Sequence, residues 1–146
     1  MYLWFLAHLA STLYMTGLIW FVQVVHYPLH AHVGQPQFVH YQHLHMNWTS
    51  YVVGPAMLIE LATTVYFLLY PADGVPYQAF VLGAALLFII WGSTGLLQVP
   101  FHNNLLQSFS PAAHHKLVLS NWVRTVAWSA RAVLVLYMVG LLIDKS

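Results

Sequence analysis

The chain has 146 residues, of which 60% are hydrophobic and only 5% charged, with a formal net charge of +1. Soluble domains carry about 25% charged residues, so the composition points away from a water-soluble domain and toward an integral membrane protein. Only four Lys/Arg are present, too few for the clustered basic surface that nucleic-acid phosphates require, and the absence of cysteine removes disulfides, thiolate metal ligands, iron–sulfur clusters and a thiol nucleophile.

The chain reads as one integral membrane domain over residues 1–146. Four apolar runs follow one another. Each supplies the ~20 residues that cross ~30 Å of hydrocarbon, and lipid-facing segments of that length must be helical because strand edges cannot be satisfied there. The first helix is expected at about 3–27. It lacks a basic leader and a small-residue cleavage site, so it reads as a retained span rather than a signal peptide. Pro28 and the Gly34-Gln35-Pro36 stretch are expected to end it. The second helix is expected at about 38–70, kinked by Pro55. Pro71-Ala72-Asp73-Gly74 then makes a tight turn into the third. The third helix, about 77–99, is expected to close at Pro100, and its Gly83, Ala84, Ala85, Gly92 and Gly95 permit close packing. The fourth, about 111–143, begins with Ser110 as N-cap and Pro111 in the first turn.

No internal repeat is evident. The predicted fold is all-α: a four-helix transmembrane bundle with antiparallel up-down topology and short connections. An even helix count puts both termini on one side. The cytoplasmic side is favoured, although Lys145 there and Lys116 opposite give the positive-inside rule little to act on. Tyr and Trp near the helix ends read as interfacial belts.

Histidine carries the functional signal. There are ten, and nine fall where the end of helix one, the start of helix two, the end of helix three and the start of helix four should meet. These are His26, His30, His32, His40, His43, His45, His102, His114 and His115; only His8 lies toward the other side. Buried imidazoles need a partner, water or a metal. Helical spacing puts His8, Thr12, Met15, Ile19, Val22 and His26 on one stripe of helix one. Trp91, Thr94, Gln98 and His102 share a stripe of helix three, and His114, Asn121, Arg124, Trp128 and Arg131 one of helix four. Polar groups in membrane helices face the bundle interior, so these stripes are expected to point inward.

The expected metal ligands are His26, His43, His102 and His114, one per helix, with His30, His40 and His45 as a second tier. The other reading of the same residues is a set of interfacial histidines bonded to water, Tyr and headgroups; His32 and His115 read as solvated either way. An imidazole-rich site without thiolates suits copper, iron or zinc, and haem b needs only two axial histidines. Gln98 and Asn121 are expected to orient ligands, and Arg124 to contact an anionic group, because Glu60 is expected to pair with Arg131 as an intramembrane charge pair.

The spacings His26-Tyr-Pro-Leu-His30 and His40-Tyr-Gln-His43-Leu-His45 loosely resemble the histidine boxes of membrane desaturases and hydroxylases, although those enzymes are about twice as long and Pro28 interrupts the first box. Over most of the chain, His26-Tyr27-Pro28-Leu29, Gln98-Val99-Pro100-Phe101-His102 and Asn121-Trp122-Val123-Arg124-Thr125 with Trp128-Ser129-Ala130-Arg131 resemble a group of small four-helix bacterial membrane proteins. That resemblance implies the architecture and a bacterial inner-membrane setting, and brings no catalytic roles with it.

The leading expectation is a metal or haem site near one membrane face that performs redox or oxygenase-type chemistry on a lipid-soluble substrate. A second reading is a non-catalytic accessory subunit that binds other membrane subunits or a pigment. A third is metal transport or delivery by surface histidines. Membrane lipid is the expected environment in all three.

Overall fold

A computed structural model describes residues 1–144. They form an all-α, antiparallel four-helix bundle of helices long and apolar enough to cross a membrane. The helices are α1 (Tyr2–His30), α2 (Gln35–Leu69), α3 (Tyr77–Leu105) and α4 (Pro111–Ile143). They pack in ring order, each against the next and α4 against α1, with α2 and α3 the most sparsely joined pair.

The helix starts and the second turn follow local chemistry. Ser110 Oγ accepts a hydrogen bond from the Ala113 N–H at 3.3 Å, which caps α4. Gly74, with φ of 91°, closes the turn between α2 and α3 in a conformation that side chains resist. The α2 helix runs without a break through Pro55.

Two further prolines overturn an expectation. Neither Pro28 nor Pro100 ends its helix. In each case the preceding turn widens to π geometry, over Val22–His26 in α1 and Thr94–Gln98 in α3. The Tyr27 N–H reaches back five residues to the Val22 carbonyl, and the Val99 N–H likewise to Thr94. A proline ring clashes with the carbonyl four residues earlier, here that of Val24 or Leu96, and both carbonyls lie inside the widened turns. The helices therefore pass their prolines and carry His30 and His102 beyond them. The two segments, His26-Tyr-Pro-Leu-His30 and Gln98-Val-Pro-Phe-His102, are alike locally, each with proline third and histidine fifth.

Three apolar layers stack along the bundle axis. Phe5, Phe67, Phe80 and Met138 fill the end near the termini. Met15, Ile19, Met57, Leu87, Ile90 and Trp128 fill the middle. Tyr27, Phe38, Leu105 and Leu117 fill the histidine-bearing end. Between lipid-embedded helices such layers act by close packing more than by a hydrophobic driving force. Polar groups occupy the levels between them. Glu60, fully buried, accepts from Thr12 Oγ1 at 3.0 Å, Trp128 Nε1 at 3.0 Å and Arg131 Nε at 2.9 Å. Arg131 also donates to Thr64 Oγ1 at 3.2 Å and to the Gly83 carbonyl. Three helices are thereby tied to one carboxylate, and α3 joins through Gly83.

Candidate functional site

The site grows from the two proline-bypassed helix ends. Past its π turn, α1 brings Tyr27 and His30 into the bundle, 1% and 0% exposed. Past its own, α3 brings His102 to the same level, where the Tyr27 hydroxyl lies 3.2 Å from His102 Nε2 and 3.1 Å from Gln98 Oε1. On α2, Phe38, Gln42 and His45 recur at helical spacing, and Gln42 is fully buried between His30 and His102. The α4 helix contributes His114, whose Nε2 is 3.0 Å from the Tyr27 carbonyl.

Hydrogen-bond chemistry fixes the protons. The Gln42 amide nitrogen lies 3.0 Å from the His102 carbonyl, which can only accept, so the amide orientation is settled. Gln42 therefore also donates to His102 Nδ1, and its Oε1 accepts from His30 Nε2 at 2.9 Å. His102 is left with its proton on Nε2, donated to the Tyr27 oxygen, and Tyr27 donates onward to Gln98. His30 has its proton on Nε2, so its Nδ1 carries a lone pair. That atom is buried without a partner among the described residues, as is His26 Nε2.

Below this level a second set of polar groups continues the network. Gln98 donates to Ser120 Oγ at 2.7 Å and accepts from Arg124 Nη2 at 3.2 Å. Asn121 accepts from Arg124 and donates to Gln23 Oε1 at 2.7 Å. One connected path thus runs from Gln23 through Asn121, Arg124, Gln98, Tyr27, His102 and Gln42 to His30.

Five imidazoles gather at this end. His26 stacks on His45 with ring centres 4.5 Å apart and on His30 at 5.8 Å; His45 lies 5.3 Å from His102, and His30 lies 5.5 Å from His114. Of the first-tier ligands, His26, His102 and His114 belong to this cluster. His43 does not: it is exposed, because it is rotated about 100° from inward-facing Gln42. His40 is exposed as well, and so are His32 and His115. The α2 helix contributes His45 in place of His43. Among the described residues no group of three or more His, Asp or Glu side chains is placed to hold a metal ion. His8 is 4% exposed and bonds Thr63 Oγ1 at 2.8 Å, far from the cluster.

A cavity of about 410 Å³ lies beside the cluster, within the range of roughly 300–1,000 Å³ of small-molecule sites. Its floor is apolar, made by Met15, Ile19, Met57 and Trp128, and its upper end is polar, made by Tyr27, His45, Gln98, His102 and Arg124. Val53 and Gly54 of α2 face Trp91 and Thr94 of α3 across it. The partly exposed Leu58, Trp91 and Val99 edge its mouth on the outer flank of the bundle.

Tyr27, Gln42 and Gln23 are the site residues that sequence reasoning missed. Tyr27 reads as a belt aromatic, and the two glutamines are uncharged. The usable signal was Phe38, Gln42 and His45 at intervals of four and three, which defines the inward face of α2. Comparison with protein-family models, with curated proteins and with solved structures finds no match to this chain.

Proposed function

We propose that this protein is a membrane-embedded oxidoreductase or oxygenase whose lipid-soluble substrate, such as a quinone, isoprenoid or aromatic, binds in the cavity between α2 and α3. The observation that carries this reading is the cavity's polarity. Its apolar floor suits a hydrocarbon body, while imidazole, phenol and guanidinium groups converge at the other end. Its mouth lies on a flank with exposed apolar side chains, which suits a ligand arriving sideways from lipid.

The exposed aromatics support this depth. Among the exposed Trp and Tyr, Trp20, Trp48 and Trp122 lie toward one level, and Tyr2, Trp4, Tyr70, Tyr77 and Tyr137 toward the other, with Tyr14, Tyr51 and Trp91 between them. Trp122 and Tyr137 are fifteen residues apart on α4, about 22 Å along the helix, against ~30 Å of hydrocarbon. The cavity's polar end then falls near the headgroups. In this reading the setting is a bacterial inner membrane with cytoplasmic termini.

The cofactor in this proposal is copper, iron or zinc, or a haem b iron. The donors best suited to it are His30 Nδ1 and His26 Nε2, the two buried imidazole nitrogens without a protein partner. Tyr27 and His102 form a hydrogen-bonded pair at the cavity wall that can hold or pass a proton.

Metal analysis and a visible absorption spectrum of the detergent-purified protein, beside a His26→Ala/His30→Ala variant, test the proposal. It requires about one metal per chain that the variant loses, or a Soret band. A folded, colourless, metal-free protein would refute the cofactor and shift the reading to an accessory subunit of a larger membrane complex.

A further inference from the structure

The proposed function leaves the polar head of the substrate unspecified, and Arg124 bears on it. This residue lines the cavity and is only 8% exposed. Its hydrogen bonds go to neutral oxygens: Asn121 Oδ1 from Nε and Nη2, Gln98 Oε1 from Nη2, and Thr94 Oγ1 from Nη1 at 3.4 Å, with the Tyr27 hydroxyl also within hydrogen-bonding reach. The chain has three acidic residues. Glu60 is committed to Arg131. Asp73 lies in the turn after α2 and Asp144 follows α4, both at the far end of the bundle. No side-chain carboxylate of the described chain therefore neutralises Arg124. A guanidinium stays protonated, and burying an ion without a counter-charge is unfavourable.

The weakest of these bonds marks the edge open to a further partner. Nε has one hydrogen and Nη2 has two, and Asn121 and Gln98 accept all three. Nη1 has two, and the long bond to Thr94 accounts for one. None of these acceptors carries a charge, and Nη1, whose bond is the longest, lies on the edge next to Thr94, itself a cavity-wall residue. Arg131 is the internal contrast: also buried, in the same helix, it has its carboxylate.

We infer that the cavity takes an anionic amphiphile, with a carboxylate or a comparably acidic oxygen against Arg124 Nη1 and an apolar body over Met15, Met57 and Trp128. This inference rests on the cavity being the substrate site, and it narrows the substrates to those with an ionised head. His102 and Tyr27 then border that head and Thr94 supports it.

The test uses the full chain in phosphatidylcholine nanodiscs, titrated with fluorescent dansyl-undecanoic acid and, separately, its methyl ester, with empty nanodiscs subtracted. The acid is expected to bind saturably, one per chain, and at least about tenfold more tightly than the ester, a charge-assisted margin of about 1.4 kcal/mol. Arg124→Gln is expected to bring the acid down to the ester's affinity. Gly54→Phe is expected to abolish binding of both, because Gly54 lines the cavity and a Cβ there meets no atom within 4 Å. Equal affinity for acid and ester in the unmodified protein, with Gly54→Phe still abolishing both, overturns the anionic head and leaves the cavity reading intact. No saturable binding of either probe overturns both. The acid-to-ester ratio in the unmodified protein decides the matter even if Arg124→Gln fails to fold. Replacing part of the lipid with phosphatidylglycerol identifies the source: competition marks a lipid phosphate as the anion, and its absence marks a free acid, each in keeping with an anion on Arg124.

Discussion

Gln42 spends both hydrogens of its amide on one residue, His102, reaching the ring Nδ1 and the backbone carbonyl over 3.0 Å each. The geometry leaves Oε1 for His30. One uncharged side chain on α2 thus sets the tautomers of two histidines on two other helices.

Removing that side chain should be costly. Gln42→Leu leaves buried groups of His30 and His102 unpaired, and each unsatisfied group costs about 1–3 kcal/mol. A loss of roughly 2–4 kcal/mol is expected, read as a lower midpoint in thermal or SDS unfolding followed by far-UV circular dichroism. Gln42→Glu keeps the acceptor for His30 and loses the donor to His102, so its midpoint should fall in between. A Gln42→Leu protein as stable as the parent would contradict the network.

Glu60→Ala should be among the most destabilising single changes. It leaves Arg131 buried and uncompensated and removes acceptors from Thr12 and Trp128. Breaking a buried pair from one side costs about 3–5 kcal/mol, whereas replacing both partners with apolar groups is often close to neutral. The Glu60→Met/Arg131→Met double variant should therefore unfold at a higher midpoint than Glu60→Ala. If the double variant is worse, the pair contributes more than mutual charge compensation.

The histidines should divide by exposure. His40→Ala and His43→Ala remove exposed side chains, and changes within about 0.5 kcal/mol are expected for such positions. His102→Ala removes the shared partner of Tyr27 and Gln42 and should lower the unfolding midpoint clearly. Parallel melts of the three variants check the division; a large loss at His43 would mean the inward face of α2 is misassigned.

Gly83 offers a steric check. A Cβ there meets Arg131 Nη1 and a Leu134 methyl at 3.6 Å, ordinary contact distances. Gly83→Ala should be neutral or stabilising, since alanine gains up to about 1 kcal/mol over glycine inside a helix. Gly83→Leu extends into those same two groups and should disturb the Glu60–Arg131 level. The test is the difference in unfolding midpoint between the two variants.

The four helices were legible because length and apolarity decide them, and the Ser110-Pro111 start because capping is local chemistry. The inward stripes of α1, α3 and α4 were legible where polar residues recur at helical spacing, as with Gln98 and His102 or Asn121 and Arg124. The fate of Pro28 and Pro100 was not, because a proline is read as a stop unless the preceding turn can widen, and that depends on the surrounding bundle. The choice of His43 over His45 failed for a related reason. The first turns of α2 mix polar and apolar residues on every side, so only the anchoring of Phe38 and Gln42 sets the helix phase.

The carboxylate shared by Thr12, Trp128 and Arg131 also bears on how the chain enters the bilayer. At the centre of an isolated helix an arginine opposes insertion by about 2.5–3.5 kcal/mol, and α4 carries two. The α2 helix, made first, holds the one acidic group that can offset Arg131. For a chain whose four helices cross a membrane, synthesis order would place the anion there before the cation arrives, and α4 would gain from settling against a partly assembled α1–α2 hairpin instead of inserting alone.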